Sequence, residues 1–222
     1  MFEKLKKWVE QAQQRAVQSV EPAVFNHPLA QQTDWHPLKG GGANFQTHRL
    51  DSSNPDFLVF KASKGAYLFS AAFVFFGIIG MLIPALIFFH EGQKEWGLVL
   101  FALLFGGVFL AVGFFLFYYM TTPRVFDTFY GCYFKGRKKP DHKLSMDSNN
   151  QHALTHLSEV KAIQVLRERI SSKNGSYYSY EINLVLADAS RINVIDHGKH
   201  EAVIDDAELL ATTLGVPLWD GS

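Results

Sequence analysis

The sequence predicts an α+β membrane protein: a two-helix transmembrane hairpin joined to a small antiparallel β domain that a C-terminal helix caps. Three observations lead there. Two runs, Ala66 to Phe89 and Trp96 to Met120, contain no Asp, Glu, Lys or Arg. As helices rising about 1.5 Å per residue, both are long enough to cross a hydrocarbon layer of about 30 Å. After Pro123 apolar and polar residues alternate with the period of a strand, and from Val203 to Leu214 the period becomes helical.

The bulk composition conceals this organisation. A net charge of zero and 19 % charged residues average two unlike parts. The first run lies too far from the N-terminus for a signal peptide, whose apolar core falls within about the first 15–30 residues. A soluble core built from the rest of the chain would be too small to enclose both helices.

Flanking charge gives an orientation. Lys61 and Lys64 precede the spans at 66–89 and 96–120, and Arg124, Lys135, Arg137, Lys138, Lys139 and Lys143 follow them. The connector His90-Glu91-Gly92-Gln93-Lys94-Glu95 carries one Lys against two Glu. The positive-inside rule then places both termini in the cytoplasm, with two spans and the connector on the other side. The single Cys132 suits a reducing compartment.

Residues 1–21 place Phe2, Leu5, Trp8, Val9, Ala12, Ala16 and Val20 on one helical stripe behind a basic first turn of Lys4, Lys6 and Lys7. This is an amphipathic helix, suited either to the anionic inner leaflet or to another protein element. Pro22 ends it. The cytoplasmic segment 22–65 is irregular, with Pro22, Pro28, Pro37 and Gly40-Gly41-Gly42, and reads as a loop ordered by a partner or by another part of the chain. Within it, Phe45 to Leu50 and Phe57 to Lys61 form a β-hairpin over 45–61 around the turn-forming residues 51–56. Trp35 is a partner anchor if its surface is exposed and packing if it is covered.

The hairpin at 66–120 carries small residues where helices can approach closely. Gly77 and Gly80 lie in the first span, and Ala102, Gly106, Gly107 and Ala111 lie in the second at small-xxx-small spacing. Pro84 removes a backbone donor from the first span, and Trp96, Tyr118 and Tyr119 sit at span ends, where an aromatic belt is expected.

The cytoplasmic domain spans 121–222. Val125 to Lys135 is a strand, or a hairpin turning at Gly131, and Val160 to Ile170 is a long strand. In the next strand Tyr178, Tyr180, Ile182, Leu184 and Leu186 alternate with Ser179, Glu181 and Asn183, the pattern of a half-buried strand. Residues 187–190 turn it into Arg191 to Ile195. Val203, Ile204, Ala207, Leu210, Ala211 and Leu214 form one face of a helix over 201–214, which Gly215 and Pro217 terminate.

Three stretches, Leu157-Ser158-Glu159-Val160-Lys161-Ala162-Ile163-Gln164-Val165-Leu166, Ser179 to Leu186, and Leu214-Gly215-Val216-Pro217-Leu218, carry a resemblance. Their order beside a membrane hairpin resembles bacterial two-span inner-membrane proteins with a PH-like cytoplasmic domain. The resemblance implies a small barrel plugged by the C-terminal helix, and binding of lipid, peptide or protein. The strands after the hairpin number fewer than the seven of a full PH-like barrel. Either the domain is minimal or Phe45 to Lys61 supplies the missing strands across the membrane insertion.

The spans hold no ionisable side chain, which disfavours a proton or ion relay within this chain. Nine histidines raise the question of a metal, but His197 and His200 flank Gly198, no His-Glu-x-x-His helix is present, and a polar turn entering the last helix explains them, with His200 and Asp205 as cap or first-turn residues. His152 and His156, like His27, His36 and His48, read as surface or hydrogen-bonded side chains without a convergent nucleophile. Gly40-Gly41-Gly42 lacks the context of a phosphate loop. Lys135, Arg137, Lys138 and Lys139 form the strongest basic cluster, suited to anionic lipid headgroups. Glu201, Asp205, Asp206 and Glu208 leave no extended basic face for nucleic acid.

The expected role is a non-catalytic, membrane-anchored accessory or scaffold protein of a bacterial-type inner membrane. It would need no cofactor and would bind a membrane protein partner or further copies of itself through its helices and its β domain. A subunit of an oligomeric channel or transporter is one alternative, and a membrane-bound metal-dependent enzyme is another.

Overall fold

The computed structural model describes residues 20–91, 96–140, 154–172 and 175–222. The expected helix at 1–21 lies almost wholly outside these residues, as do His152, Lys143 and most of the connector between the apolar runs. In chain order the elements are α1 (Pro28–Gln32), β1 (His48–Asn54), β2 (Phe57–Ala62), α2 (Lys64–Glu91), α3 (Trp96–Met120), β3 (Arg124–Asp127), β4 (Cys132–Lys135), β5 (Thr155–His156), β6 (Val160–Ser172), β7 (Gly175–Leu186), β8 (Arg191–His197), α4 (His200–Leu214) and β9 (Leu218–Gly221). They divide into two compact units, a helical one at Ala62–Thr122 and a β-rich one that joins Pro123–Ser222 to the described part of Met1–Lys61.

In the helical unit α2 and α3 are both long and apolar enough to cross a membrane. Ser63 caps α2, its Oγ accepting from the Ala66 amide at 3.1 Å. The hydroxyls of Thr121 and Thr122 donate to the carbonyls of Phe117 and Tyr118 at 2.6 and 2.7 Å, closing the last turn of α3. The facing seam uses residues spaced by four and seven, on one side of each helix: Ala66, Ser70 and Gly77 are buried on α2, and Ala102, Gly106 and Gly113 on α3. Ser70 lies in this apolar seam without an orphaned hydroxyl, because its Oγ donates to the Ala66 carbonyl at 2.9 Å. The remaining faces carry Phe, Leu, Ile and Val and are exposed; within the most apolar 18-residue stretch of each helix only 6 % and 17 % is buried.

The β-rich unit contains two sheets. One has five strands in the order β1-β2-β3-β4-β5, and the other has four in the order β8-β7-β6-β9. Pairing is antiparallel from β2 through β5 and among β6, β7 and β8, whereas β6 and β9 run parallel. The strands that precede the apolar hairpin therefore belong to the sheet that follows it. Phe57, Leu58, Val59 and Phe60 on β2 pair with Asp127, Phe126, Val125 and Arg124 on β3. Alternation sends Leu58, Phe60, Phe126 and Tyr133 from this sheet into a core shared with Ile163, Val165, Ile182, Leu184, Val194 and Ile195 of the other. A bulge between β7 and β8 turns the consecutive Val194 and Ile195 both inward.

Helix α4 closes that core with Val203, Ala207, Leu210 and Ala211. Its termination follows from Gly215, whose φ of 66° places it in the left-handed region, while the Val216 amide donates to the Ala211 carbonyl at 3.0 Å. Pro217 then delivers β9, a strand the sequence pattern did not suggest, and buries Trp219.

Two expectations need correction. Residues 22–42 are not a plain loop: Pro22–Phe25 is a 3₁₀ turn, and α1 begins at Pro28, with His27 Nδ1 accepting from the Leu29 amide at 3.2 Å as its cap. Proline at the first position of each starts a turn in place of breaking one. The alternation in β7 marks two environments, yet its polar face is not in water. Ser179, Glu181 and Asn183 are all buried, because residues 33–47 form a strap across the outer face of the four-stranded sheet.

Candidate functional site

Two regions concentrate polar chemistry in the β-rich unit: the end where β2 and β3 meet the long helices in sequence, and the strap. At the first, the antiparallel return of β4 sets Lys135 opposite Arg124, and the Gly136 amide donates to the Pro123 carbonyl at 3.0 Å. The chain thus brings Lys135, Arg137 and Lys138, all exposed, back beside a residue three positions after the end of α3. Lys61, exposed at the end of β2, joins them and pairs with Asp51. Hydrogen bonds from Lys61 and Ser53 hold the Asp51 carboxyl well below the usual carboxylate range.

Lys139 departs from the cluster in which the sequence placed it. Its Nζ lies 3.0 Å from the carboxylate of the buried Asp127 and 3.8 Å from the centre of the Tyr130 ring. Desolvation favours its neutral form, but the interactions with Asp127 and Cys132 together outweigh this and hold its pKa above normal. Asp127 also accepts from the Tyr130 amide at 2.9 Å, which shapes the β3–β4 turn. Lys139 is therefore a structural partner of this turn.

Arg124, counted in sequence only as a flanking charge, is buried. Its Nε donates to the Val194 carbonyl at 3.0 Å and its guanidinium reaches His48 Nε2, joining the two sheets. Because the guanidinium can only donate, His48 accepts at Nε2 and carries its proton at Nδ1, 2.8 Å from Thr47 Oγ1. Thr47 passes the polarity on to the Asp196 carbonyl at 3.2 Å.

The strap is anchored at its start by aromatic packing. Phe25 stacks on Trp35 at 4.8 Å, and Trp219 lies 6.0 Å from both rings. Trp35 is 8 % exposed, and its Nε1 donates to the Ala30 carbonyl at 2.8 Å, so this side chain is packing and not an exposed anchor. Farther along, the sheet grips the strap through its main chain. Gln164 and Arg191 donate to the carbonyls of Asp34 and His36 at 3.1 and 2.8 Å, while Glu181 accepts from the amides of Leu38 and Lys39 at 2.7 and 3.1 Å. Burial pushes the Glu181 carboxyl up, opposed by its bonds from Asn183 and the strap. Gly42 passes so close to the sheet that a Cβ there would lie 1.8 Å from Asp196 Oδ1.

The candidate small residues of the helices separate into two groups. An added Cβ on Gly77 would meet the Gly106 carbonyl at 2.9 Å, and one on Gly106 would meet that of Gly77 at 2.7 Å. These two, with Ala102 and with Gly80 beside them, serve the contact between the chain's own helices. Ala111 is exposed and stands outside the seam, whereas Gly107 is half-buried at its edge, where an added Cβ would touch Met81 Cε at 3.7 Å.

His197 and His200 do not converge. His197 is buried with Nδ1 accepting from the Lys199 amide at 3.2 Å, and burial lowers its pKa to about 4. The His200 ring lies against Tyr180 at 4.5 Å, and Nε2 is 2.9 Å from Ser222 Oγ. Asp205 and Lys199 provide no side-chain cap to α4. Among the described residues no group of three or more His, Cys, Asp or Glu side chains is placed to hold a metal ion.

Comparison with protein-family models, with curated proteins and with solved structures finds no match for this chain.

Proposed function

We propose that this chain is a membrane-anchored accessory or scaffold protein of a bacterial-type inner membrane, with both termini cytoplasmic. In this reading α2 and α3 anchor it, and the PH-like β unit recruits a partner protein. The observation that supports it best is the return of Lys135, Arg137 and Lys138 to the strand end contiguous with the apolar helices. Basic residues there meet anionic headgroups at about 1 kcal/mol each, enough together to hold the sheet end at the surface. Ala111, with Gly107 at the seam's edge, offers a small-residue helix face on which a partner's helix can pack.

The test is native mass spectrometry of the full chain in mild detergent with added anionic or zwitterionic phospholipid. Retention of the anionic lipid, lost on combining Lys135→Glu, Arg137→Glu and Lys138→Glu, agrees with the proposal. Equal retention of both lipids by wild type and variant contradicts it.

A further inference from the structure

We infer that residues 36–43 form a proton-operated latch over the four-stranded sheet, closed while Glu181 and Asp196 share one negative charge and loosened when both are ionised. This inference concerns the β-rich unit alone and does not depend on how the helices are used.

The register creates the charge problem. Glu181 on β7 and Asp196 on β8 are direct cross-strand partners, so both carboxyl groups stand on the outer face beneath the strap. Like charges opposed in this way repel, and burial adds the loss of water. Glu168 on β6 adds further negative charge near Asp196, and Lys39 on the strap offsets part of it. Arg191 offsets Glu181 and is itself bonded to Asp34 at 3.0 Å, which in turn holds His36 at 2.7 Å.

Hydrogen bonding decides which group takes the proton. The two oxygens of Glu181 receive the amides of Leu38 and Lys39 and the side chains of Asn183 and Asn193, at 2.7, 3.1, 2.7 and 3.4 Å. Only an ionised carboxylate accepts from all four. Asp196 has the Ser179 hydroxyl at Oδ1, under the close approach of Gly42. The proton therefore belongs on Asp196, and burial raises the pKa of this group from 3.8 to about 6.

The segment above them is built to lift. Leu38, Lys39, Gly40 and Gly41 are exposed, and Gly42 has no side chain, so these residues contribute little apolar burial. What holds them is polar: the Glu181 bonds, the Gly41 amide on Glu168 at 2.9 Å and the Tyr177 hydroxyl on the Gly42 carbonyl at 2.9 Å. The flanks are fixed independently, by Trp35 in an apolar cluster and by the buried Thr47 and His48.

The sign follows from linkage. The closed state holds a proton on Asp196 that an opened, hydrated Asp196 would release, so acid favours closure. The advantage is fully present below the open-state value, near 3.8, and is lost as pH rises through about 6. One proton linked in this way changes the closing equilibrium by up to about tenfold per pH unit in that window.

Hydrogen exchange of the full chain in detergent, corrected for the intrinsic rate, reads this directly. Protection of peptides covering 36–43 should rise by up to about tenfold per unit as pH falls from 6 toward 5, where Asp196 takes its proton, and should be level above 7, while peptides from β6 show no such slope. Asp196→Asn should keep 36–43 protected at every pH. Gly42→Ala, whose new methyl collides with Asp196, should leave the segment unprotected at every pH with β6 intact. Protection of 36–43 that is flat or falls on acidification, an Asp196→Asn variant that titrates like wild type, or a Gly42→Ala variant that stays protected overturns the inference. Where the Asn variant fails to protect β6, the wild-type slope and the Gly42→Ala result decide.

Discussion

Phe60 and Arg124 are register partners on adjacent antiparallel strands, although the entire apolar hairpin lies between them in sequence. The hairpin is thus an insertion into a sheet, and each half of the β-rich unit lacks what the other supplies. Joining residues 20–61 to 123–222 through an Asn-Gly turn should give a unit that melts cooperatively, because two-residue turns of this kind connect antiparallel neighbours. Residues 123–222 alone, deprived of Leu58 and Phe60 in the core, should show no cooperative transition by circular dichroism.

The seam between the long helices depends on Gly106. Gly106→Leu forces a side chain against Met81 Cγ and the Gly77 carbonyl, where even a Cβ would sit at 2.5 and 2.7 Å. Overpacking of this kind costs about 1–3 kcal/mol, and more if the backbones must separate. The measurement is the unfolding midpoint of the helical signal in detergent. Ala111→Leu, on an exposed position, should leave that midpoint within about 0.5 kcal/mol of wild type.

Trp219 joins the strap to the sheet. It is 1 % exposed and contacts the cluster of Ala30, Trp35, Ala162, Leu166 and Val185. Trp219→Ala should destabilise the β-rich unit by about 3–5 kcal/mol, read from chemical denaturation.

Much of this architecture was legible in sequence because its signals are local. The charge-free runs, the alternation from Tyr178 to Leu186 and the period of Val203 to Leu214 each report one element's own environment. Gly215 marked the helix end for the same reason. The strap was not legible: Glu181 and Asn183 look like solvent-facing residues, and only a distant segment crossing them makes them buried. Arg124 and Lys139 show the same limit at the basic end. Both counted as surface charge, yet one bridges two sheets and the other neutralises a buried Asp127. The division of Gly106 from Gly107 likewise required the partner helix, since the two are adjacent in sequence and lie on different parts of the helix surface.

The Lys139–Asp127 pair yields a discriminating prediction. Lys139→Ala leaves the Asp127 carboxylate buried beside Tyr130 without that charge partner, and should destabilise the β-rich unit by about 1–3 kcal/mol in a thermal or urea melt. Lys138→Ala, at an exposed position, should change the same melt by less than about 0.5 kcal/mol. A reversal of that order would return Lys139 to the exposed basic cluster of Lys135, Arg137 and Lys138.

Titration should separate a buried and a half-buried group of opposite sign. His197 has its pKa lowered by burial from 6.5 to about 4, so its contribution to stability is present above 6.5 and is lost as pH falls through 4. Burial raises Asp206 from 3.8 to about 6, against a bond from the Leu50 amide, so folding is favoured by its protonation below that value. His197→Gln should therefore flatten the loss of stability between pH 6.5 and 4 in urea titrations, and Asp206→Asn should steepen it, each by up to about 1.4 kcal/mol per pH unit.

On the proposed function, a partner is held in part through the helix surface that the chain's own hairpin leaves uncovered. What decides this is the native mass of the full chain captured in nanodiscs from the membrane in which it is expressed natively, beside an Ala111→Leu variant altered at an exposed position. A stoichiometric second polypeptide, either another protein or a further copy, is expected in wild-type particles and lost from the variant while it remains inserted. A single chain in wild-type particles, or a second polypeptide retained equally by the variant, would contradict it.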